Sequence, residues 1–426
     1  MSSIHGRSID DVQHTTVLGA GMVGVSIAYH LALRGQRVTL VDRRAPGRET
    51  SFGNAGLIQR EAVMPHPFPR DLANMWRVLP NRSIDIRYRA GAMFAAAEPL
   101  LEYWRSSAPA RFAEIVPEYA SLIVHCTAEH ERMFTAAGAE SLIRRDGWFE
   151  VFRTSSVFEQ AQARAADIHT RFGVEYAVLD QTALAEAEPY LGQALIGAIH
   201  WTNSWSVSDP GALVQAYATA FEALGGQFVQ AQANDIDNEA GHWRLHTDQG
   251  TIDSDAVVLA TGPWSNQWLE RLGYEMPLFH MRGYHMHYSA ADGATLDHAF
   301  LDHEKGYLLS PKRAGLRLTT GAELNTLEAP PRTGQLEAAE AEVRTIFPLG
   351  ERREAQPWKG ARPCMGDMKP VIGPAPRHDN LWLAFGHGHQ GFTLGPITGR
   401  LVGEMMAGES PVVDMRPFRA ERFDAH

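Results

Sequence analysis

The most regular pattern of apolar and polar positions lies in Thr15 to Asp42, TTVLGAGMVGVSIAYHLALRGQRVTLVD. Val17 and Leu18 form a short apolar run that stops at Gly19, Gly21 and Gly24. Val25, Ala28, Tyr29 and Ala32 then recur at i, i+3, i+4 and i+7, the spacing of one buried helix face. Gly35 ends that helix, and Arg37 to Val41 reads as a second buried strand closed by Asp42. Next comes a loop of small residues, Arg43 to Gly56. From Leu57 to about Ala110 the pattern is mixed and interrupted by Pro65, Pro67, Pro69 and Pro80. Phe94 to Trp104 and Glu118 to Ala136 are expected as amphipathic helices, Trp148 to Phe152 as a strand, and Val157 to Arg171 as a further helix.

A second organised unit begins at Asp209, which suits a helix N-cap with Pro210 at the first helical position, and the helix runs from Ala212 to Leu224. Phe228–Val229 and Trp243 to Thr247 read as strands, and Asp255 to Gly262 as a buried strand entering a glycine turn. Met281 to Tyr288, Tyr307 to Ser310 and Leu316 to Gly321 alternate like antiparallel strands, followed by a helix over Gln335 to Ile346. Asn380 to Phe385 is a last strand, Gly386 to Gly391 a glycine–histidine loop, and Thr393 to Met406 a helix closed by Gly408.

The chemistry starts at the first glycines. Gly19 permits a tight turn, Gly21 lets backbone approach a pyrophosphate, and Gly24 lets helix pack on strand. The turn Gly19-Ala20-Gly21-Met22-Val23-Gly24 opens a helix whose unpaired N–H groups favour phosphate. Asp42, 18 residues after Gly24, is placed to accept hydrogen bonds from ribose hydroxyls, with Arg43 and Arg44 beside it. A turn this specific, inside a full strand–turn–helix–strand with a terminal acid, predicts a bound dinucleotide. The remaining cofactor candidates are Ser51, Asn54, Ala55, Gly56 and Leu57 of the next loop, Val229, and Thr261, Gly262 and Trp264 of the second glycine turn. The C-terminal loop adds Gly386, His387, Gly388, His389, Gln390, Gly391, Phe392 and Thr393. These segments stand at the start, middle and end of the chain, separated by long insertions. A simple nicotinamide dehydrogenase keeps such strands contiguous, so the arrangement points to a flavin protein.

Composition narrows the partners. The 426 residues carry a net charge of −11 and no basic cluster, which argues against nucleic acid or an anionic membrane surface as a partner. Two cysteines, Cys126 and Cys364, make no disulfide framework. The opening MSSIHGRSIDDVQ is polar and lacks the apolar core of a signal peptide, and no run of about 18 apolar residues is present to span a membrane. A cytoplasmic location is expected, with peripheral contact on the inner face of the membrane left open. His285-x-His287 and His387-x-His389 resemble short chelating pairs, but no acid or cysteine stands at metal-site spacing, so no metal is expected.

The chain resembles the D-amino-acid oxidase and glycine oxidase superfamily of FAD enzymes, and within it is most similar to bacterial D-amino-acid dehydrogenase small subunits. The resemblance rests on VLGAGMVGVSIAYHLALRGQRVTLVD, TSFGNAGLI, DPGALV, VVLATGPWS, MRGYHM, GYLLSPKRAGLRLTTGAEL, WKGARPCMGDMKPVIGPAP and LWLAFGHGHQGFTLGPITGRLV, in the family's order over nearly the whole chain. Met64 to Thr202 matches poorly. The resemblance implies an α/β protein: a Rossmann-like FAD-binding domain (1–63, 200–275 and 360–426) interleaved with an antiparallel-sheet α+β substrate domain (64–199 and 276–359). It also implies non-covalent FAD and hydride transfer to the flavin from the carbon bearing nitrogen of a D-amino acid or cyclic imino acid. The imine then hydrolyses to a keto acid and ammonia. The electron acceptor is a quinone, a carrier or oxygen. A glycine- or sarcosine-type oxidase, an opine oxidase subunit and a non-catalytic flavin redox sensor are the rival functions.

Arg362 matches the position at which glycine-oxidase-like enzymes hold the substrate carboxylate, a task that suits a planar guanidinium fork. Tyr307 matches the family's pocket tyrosine, although a tyrosine on a strand is equally an ordinary core residue. Tyr284 and His285 lie on the strand that lines the flavin face in this family, and strand alternation admits only one of them to the pocket. His387 and His389 fit either a polar partner of ring or substrate or a helix cap. Some relatives attach flavin through a cysteine in the region of Cys364, whereas the flanking Arg362–Pro363 follows the non-covalent branch.

Overall fold

Neighbouring residues of the first strand, Val17 and Leu18, enter two different cores, and the sheet is built on that alternation. A computed structural model describes residues 13–71, 76–239 and 241–423. The polar opening stretch read above falls, except for Gln13, outside the described residues. Five parallel strands stand in the order Gln227–Gln230, Arg37–Asp42, His14–Leu18, Ala256–Leu259 and Leu381–Phe385, and Val371–Pro374 closes the edge antiparallel. Val17, Leu40 and Val258 pack beneath the helices Met22–Leu33, Pro210–Ala223 and Gly391–Met406. Leu18, Val41, Val257 and Leu259 pack on the opposite face, against Ile236, Trp243 and Leu245 of a small three-stranded sheet. Both faces are covered, which is why these strands read as continuous apolar runs.

The first and last helices cross on a stripe of glycines. Gly395, Gly399 and Gly403 face Met22, Ser26 and the His30–Arg34 turn, and a Cβ at Gly399 would lie 2.4 Å from the Ser26 carbonyl oxygen. That contact cannot relax by a rotamer change because the obstacle is backbone. Gly399→Val is therefore expected to cost about 1–3 kcal/mol or more by overpacking. Urea unfolding followed by circular dichroism should show the lowered midpoint.

The second large element is an eleven-stranded mixed sheet whose hub is the long strand Leu278–Ala290. Its antiparallel partners are Gly315–Thr319, Ala322–Leu324, Leu349–Arg352 and Trp358–Met365. The Trp358–Met365 ladder sets Arg362 opposite Met281 and Lys359 opposite Tyr284. Beyond the hub the sheet continues through Tyr307–Lys312 and Phe300–Asp302 to Phe149–Phe152, Gly197–His200 and Ala177–Asp180. Its second core holds Phe149, Met286, Tyr288, Tyr307 and Leu318 beneath the helix Gly334–Val343.

Two expected helices each appear as a pair. Phe94 to Trp104 falls across Ala90–Ala95 and Ala97–Ser106, broken at Ala96 with ψ 21°. Pro99 has no N–H to give the Ala95 carbonyl, so a helix can only restart with proline in its first turn. Glu118 to Ala136 falls across Pro109–Ile123 and Cys126–Ala136, separated by Val124 and His125.

Candidate active site

The glycine turn, the second glycine loop and the C-terminal loop converge on one cavity of about 1150 Å³. Its dinucleotide arm begins where the Gly19 N–H bonds to the Val41 carbonyl at 2.8 Å, which holds the turn against the second strand. A Cβ at Gly24 would lie 1.8 Å from the Gly19 carbonyl oxygen, so only glycine admits this helix start. Gly21, Met22 and Val23 present the helix N-terminus to the cavity. Asp42 sits at its rim and accepts the Ala20 N–H at 2.7 Å and the Arg44 N–H at 3.0 Å. Desolvation raises its pKa while those two N–H bonds oppose the shift. The Arg43 guanidinium lies 4.4 Å over the Trp264 ring, and both line the same arm. Ser51, Asn54, Ala55, Leu57, Thr261, Gly262, Gly386, His387, Gly388, His389, Gly391 and Phe392 also face the cavity.

Other cofactor candidates support this wall from behind. Ala20 and Gly24 form the turn itself, Arg44 pairs with Glu49 at the surface, and Val229 packs into the sheet core. Gly56 lies against Lys312, Gln390 donates to Gln59 at 2.8 Å, and the Thr393 hydroxyl receives the Gln59 N–H at 3.3 Å.

Arg362 lines the same cavity. Its guanidinium donates to the carbonyls of Gly321 at 3.0 Å, Thr320 at 3.3 Å and Arg282 at 3.5 Å. It packs on Gly283, where a Cβ would come within 2.8 Å of Nη2. Those three carbonyls leave two of its five N–H groups without a protein acceptor among the described residues. No carboxylate lies within ion-pair distance of it among those residues. Burial lowers its pKa from the usual guanidinium value. The acids on the cavity wall are committed elsewhere: Glu49 to Arg43 and Arg44, and Asp85 to Arg77. The cavity wall also carries the apolar and aromatic side chains of Tyr103, Tyr119, Phe279, Met281, Leu301 and Leu308. The arrangement is built for one anionic group set in an apolar surround.

The other catalytic expectations divide. Tyr284 faces the cavity, while His285 turns away and stacks on Trp358 at 4.9 Å with 14° between the rings. Burial, with the charges of Arg317 and His287, pushes the His285 pKa down to about 2. The Tyr284 hydroxyl is not free: it donates to Glu323 at 2.5 Å and receives Arg282 at 2.7 Å. Tyr307 is not brought to the cavity, which corrects its expected role. Its hydroxyl donates to Asp302 at 3.0 Å inside the second core, and alternation puts Leu308 on the cavity side instead.

In the C-terminal loop, His387 shares a hydrogen bond with Thr398 at 3.0 Å, and burial brings its pKa to about 3. Its neighbour His389 is different, for its ring lies 4.7 Å from that of His66 and both line the cavity. His66, Tyr103, Tyr119, His303 and Trp358 are cavity residues that the sequence pattern did not single out. The one available signal was Pro65-His66-Pro67-Phe68-Pro69, which is too rich in proline for helix or strand yet carries two aromatic rings. Cys364 also lines the cavity, and burial raises its thiol to about 12, so it is a neutral thiol rather than a nucleophile.

The chain matches the family model described as DAO, FAD dependent oxidoreductase, over residues 14–405. It is 29% identical to a D-amino-acid oxidase of Bradyrhizobium diazoefficiens, over 96% of this chain and 99% of that protein. It is 30% identical to a D-amino acid dehydrogenase of Rhizobium johnstonii over the same shares. Among solved structures, glycine oxidase from Geobacillus kaustophilus superposes with a TM-score of 0.74 at 21% identity, covering 96% of this chain and 98% of that one. L-proline dehydrogenase from P. horikoshii gives a TM-score of 0.73 at 18% identity, covering 97% and 98%. The chain belongs to the DAO family of FAD-dependent oxidoreductases. The glycine cradle, the helix N-terminus and the volume of the cavity fit FAD.

Proposed function

We propose that this FAD-dependent oxidoreductase oxidises a D-amino acid or cyclic imino acid at the carbon bearing nitrogen. The observation that carries this reading is Arg362, a buried guanidinium with spare N–H groups and no carboxylate partner among the described residues. A substrate carboxylate completes it as a bidentate, charge-assisted pair. The names of the relatives, D-amino-acid oxidase and D-amino acid dehydrogenase, support the substrate class and its handedness.

FAD, when bound, supplies the two-electron acceptor for the hydride leaving that carbon. The residues of this chain do the rest. The turn Gly19 to Gly24, Asp42, Arg43, Ser51, Thr261 and Trp264 hold the nucleotide end, and Gly386 to Phe392 line the ring end. The two domains divide as 1–63, 200–275 and 360–426 for FAD, and 64–199 and 276–359 for substrate. Arg362 fixes the carboxylate, which orients the Cα–H for transfer. Tyr284 serves as a locked wall. The apolar lining excludes water, and the imine is hydrolysed after the transfer. The neutral Cys364 thiol supports a non-covalent flavin.

Electrons leave to a quinone or carrier at a peripheral membrane site. The support is the run of exposed apolar side chains along this part of the chain, Trp76, Leu79, Phe94, Leu101 and Trp104, with Arg82, Arg89 and Arg105 exposed in the same stretch. Leu79 and its neighbour Val78 also line the cavity. No helix of the described residues is long and apolar enough to cross a membrane. The test is a product assay with a panel of D- and L-amino acids and prolines. Keto acid formed one-for-one with reduced quinone analogue is expected. Stoichiometric peroxide with no quinone reduction would move the reading to an oxidase, and no product from any amine would end it.

A further inference from the structure

We infer that Glu61 takes up a proton from solvent when the flavin accepts electrons, which makes hydride acceptance a proton-linked event. This rests on the reading that Gly386 to Phe392 line the ring end of FAD, and it gives a role to an acid that the proposed chemistry does not use.

Glu61 is 7% exposed, and a carboxylate buried so deeply is ordinarily matched by a cation. Here its oxygens accept from two neutral donors, the Gln59 amide at 2.8 Å and the Ser204 hydroxyl, and no cation lies within ion-pair distance of it among the described residues. Two titratable groups feel its charge. Arg60 directs its guanidinium to the Phe172 carbonyl at 2.8 Å, and Cys126, on the helix Cys126–Ala136, is a neutral thiol that burial pushes up to about 12. Gln59 joins the acid to the site. It lines the cavity, its carbonyl oxygen accepts the Gln390 amide at 2.8 Å, and its backbone N–H donates to the Thr393 hydroxyl at 3.3 Å. Gln390 stands directly before the helix Gly391–Met406. The acid is therefore one hydrogen bond from the cavity wall and two from the residue that opens the last helix.

The electrostatics give the direction. Burial pushes the Glu61 carboxyl up to about 7, against the bonds from Ser204 and Gln59, which lower it. A hydride carries two electrons and one proton, so its arrival leaves the cavity one negative charge richer. That charge disfavours the Glu61 anion and raises its proton affinity further. In the pH window between the two affinities, solvent gives up one proton and one carboxyl O–H bond forms, while no electron passes to Glu61. Reduction then draws two protons where the flavin alone would draw one.

The experiment is an anaerobic titration with dithionite and a reference dye, which reads the midpoint potential of the FAD-loaded wild type and Glu61→Gln from pH 6 to 9. No amino acid is present, so the result does not depend on the substrate. The two potentials should agree near pH 6, where Glu61 is protonated in both redox states. Above pH 7 the wild type should fall more steeply, by one further proton per two electrons, and lie below the variant at pH 9. Parallel lines over the whole range would overturn the inference and leave the proposed function standing. Where Glu61→Gln fails to fold or to hold FAD, the reduced-minus-oxidised infrared spectrum of the wild type at pH 8 decides. A protonated-carboxyl band that moves on carbon-13 labelling of glutamate is expected, and its absence would overturn the inference. A wild type that shows this pH dependence but accepts electrons from no amine would end the proposed function and leave the inference standing, and a wild type that binds no FAD would overturn both.

Discussion

Arg362→Ala is expected to leave a folded, FAD-loaded protein that substrate reduces about 10²- to 10³-fold less efficiently. Truncating one partner of a buried, hydrogen-bonded charge pair costs about 2–5 kcal/mol, and each 1.4 kcal/mol is tenfold. Here the partner left unpaired is the substrate carboxylate, set in an apolar surround. The fold should tolerate the change, because among the described residues Arg362 neutralises no protein acid and donates only to backbone carbonyls. Arg362→Lys keeps the charge but not the fork, and an intermediate loss is expected. Stopped-flow reduction across substrate concentrations separates the outcomes. An Ala variant with wild-type efficiency would remove Arg362 from the site.

The second large effect is on stability. Arg282 is fully buried, and its guanidinium contacts Glu323 at 2.7 and 3.1 Å, with the carbonyls of Thr326 and Pro330 each at 3.1 Å. Glu323 also accepts from Tyr284 and from the Asn325 amide at 3.1 Å. Glu323→Ala strands that arginine, and removing one partner of a buried pair costs about 3–5 kcal/mol. The pH dependence follows from the glutamate. Burial would raise its pKa, but the bonds from Tyr284 and Arg282 outweigh burial and leave it below the usual value. Its contribution is therefore present above the ordinary glutamate pKa and lost as pH falls through the lowered one. Glu323→Gln should flatten that acid limb. Urea midpoints from pH 3 to 7 give both quantities, and an Ala variant with an unchanged midpoint would contradict the account of the network.

The parts of the molecule legible in the sequence are those with local causes. The glycine spacing is itself a local motif: Gly19 holds a φ of 108° and a Cβ at Gly24 would strike the Gly19 carbonyl oxygen at 1.8 Å, so the turn, its helix and Asp42 could be read directly. The same holds for the Asp209 N-cap, which accepts the Ala212 N–H at 3.0 Å. Arg362 was legible by resemblance, but its lack of a protein carboxylate was not, because that depends on which strands pair. Tyr307 shows the limit. On its strand, tyrosine and leucine alternate between a core and a cavity, and composition cannot tell which face is which. Tyr284 and His285 posed the same question, and only the ladder to Trp358–Met365 answers it. His66 was invisible for another reason. Its contact with His389 spans most of the chain, and nothing local in a proline-rich loop reports it.

The central claim is that the cavity holds a flavin which an amino acid reduces. Its most direct test is the visible spectrum of the FAD-loaded protein without oxygen, before and after addition of D-amino acids. Bleaching of the flavin band by D- but not L-enantiomers, lost in Arg362→Ala, is the predicted result. A flavin that stays oxidised with every amino and imino acid, or a protein that binds no FAD, would contradict it.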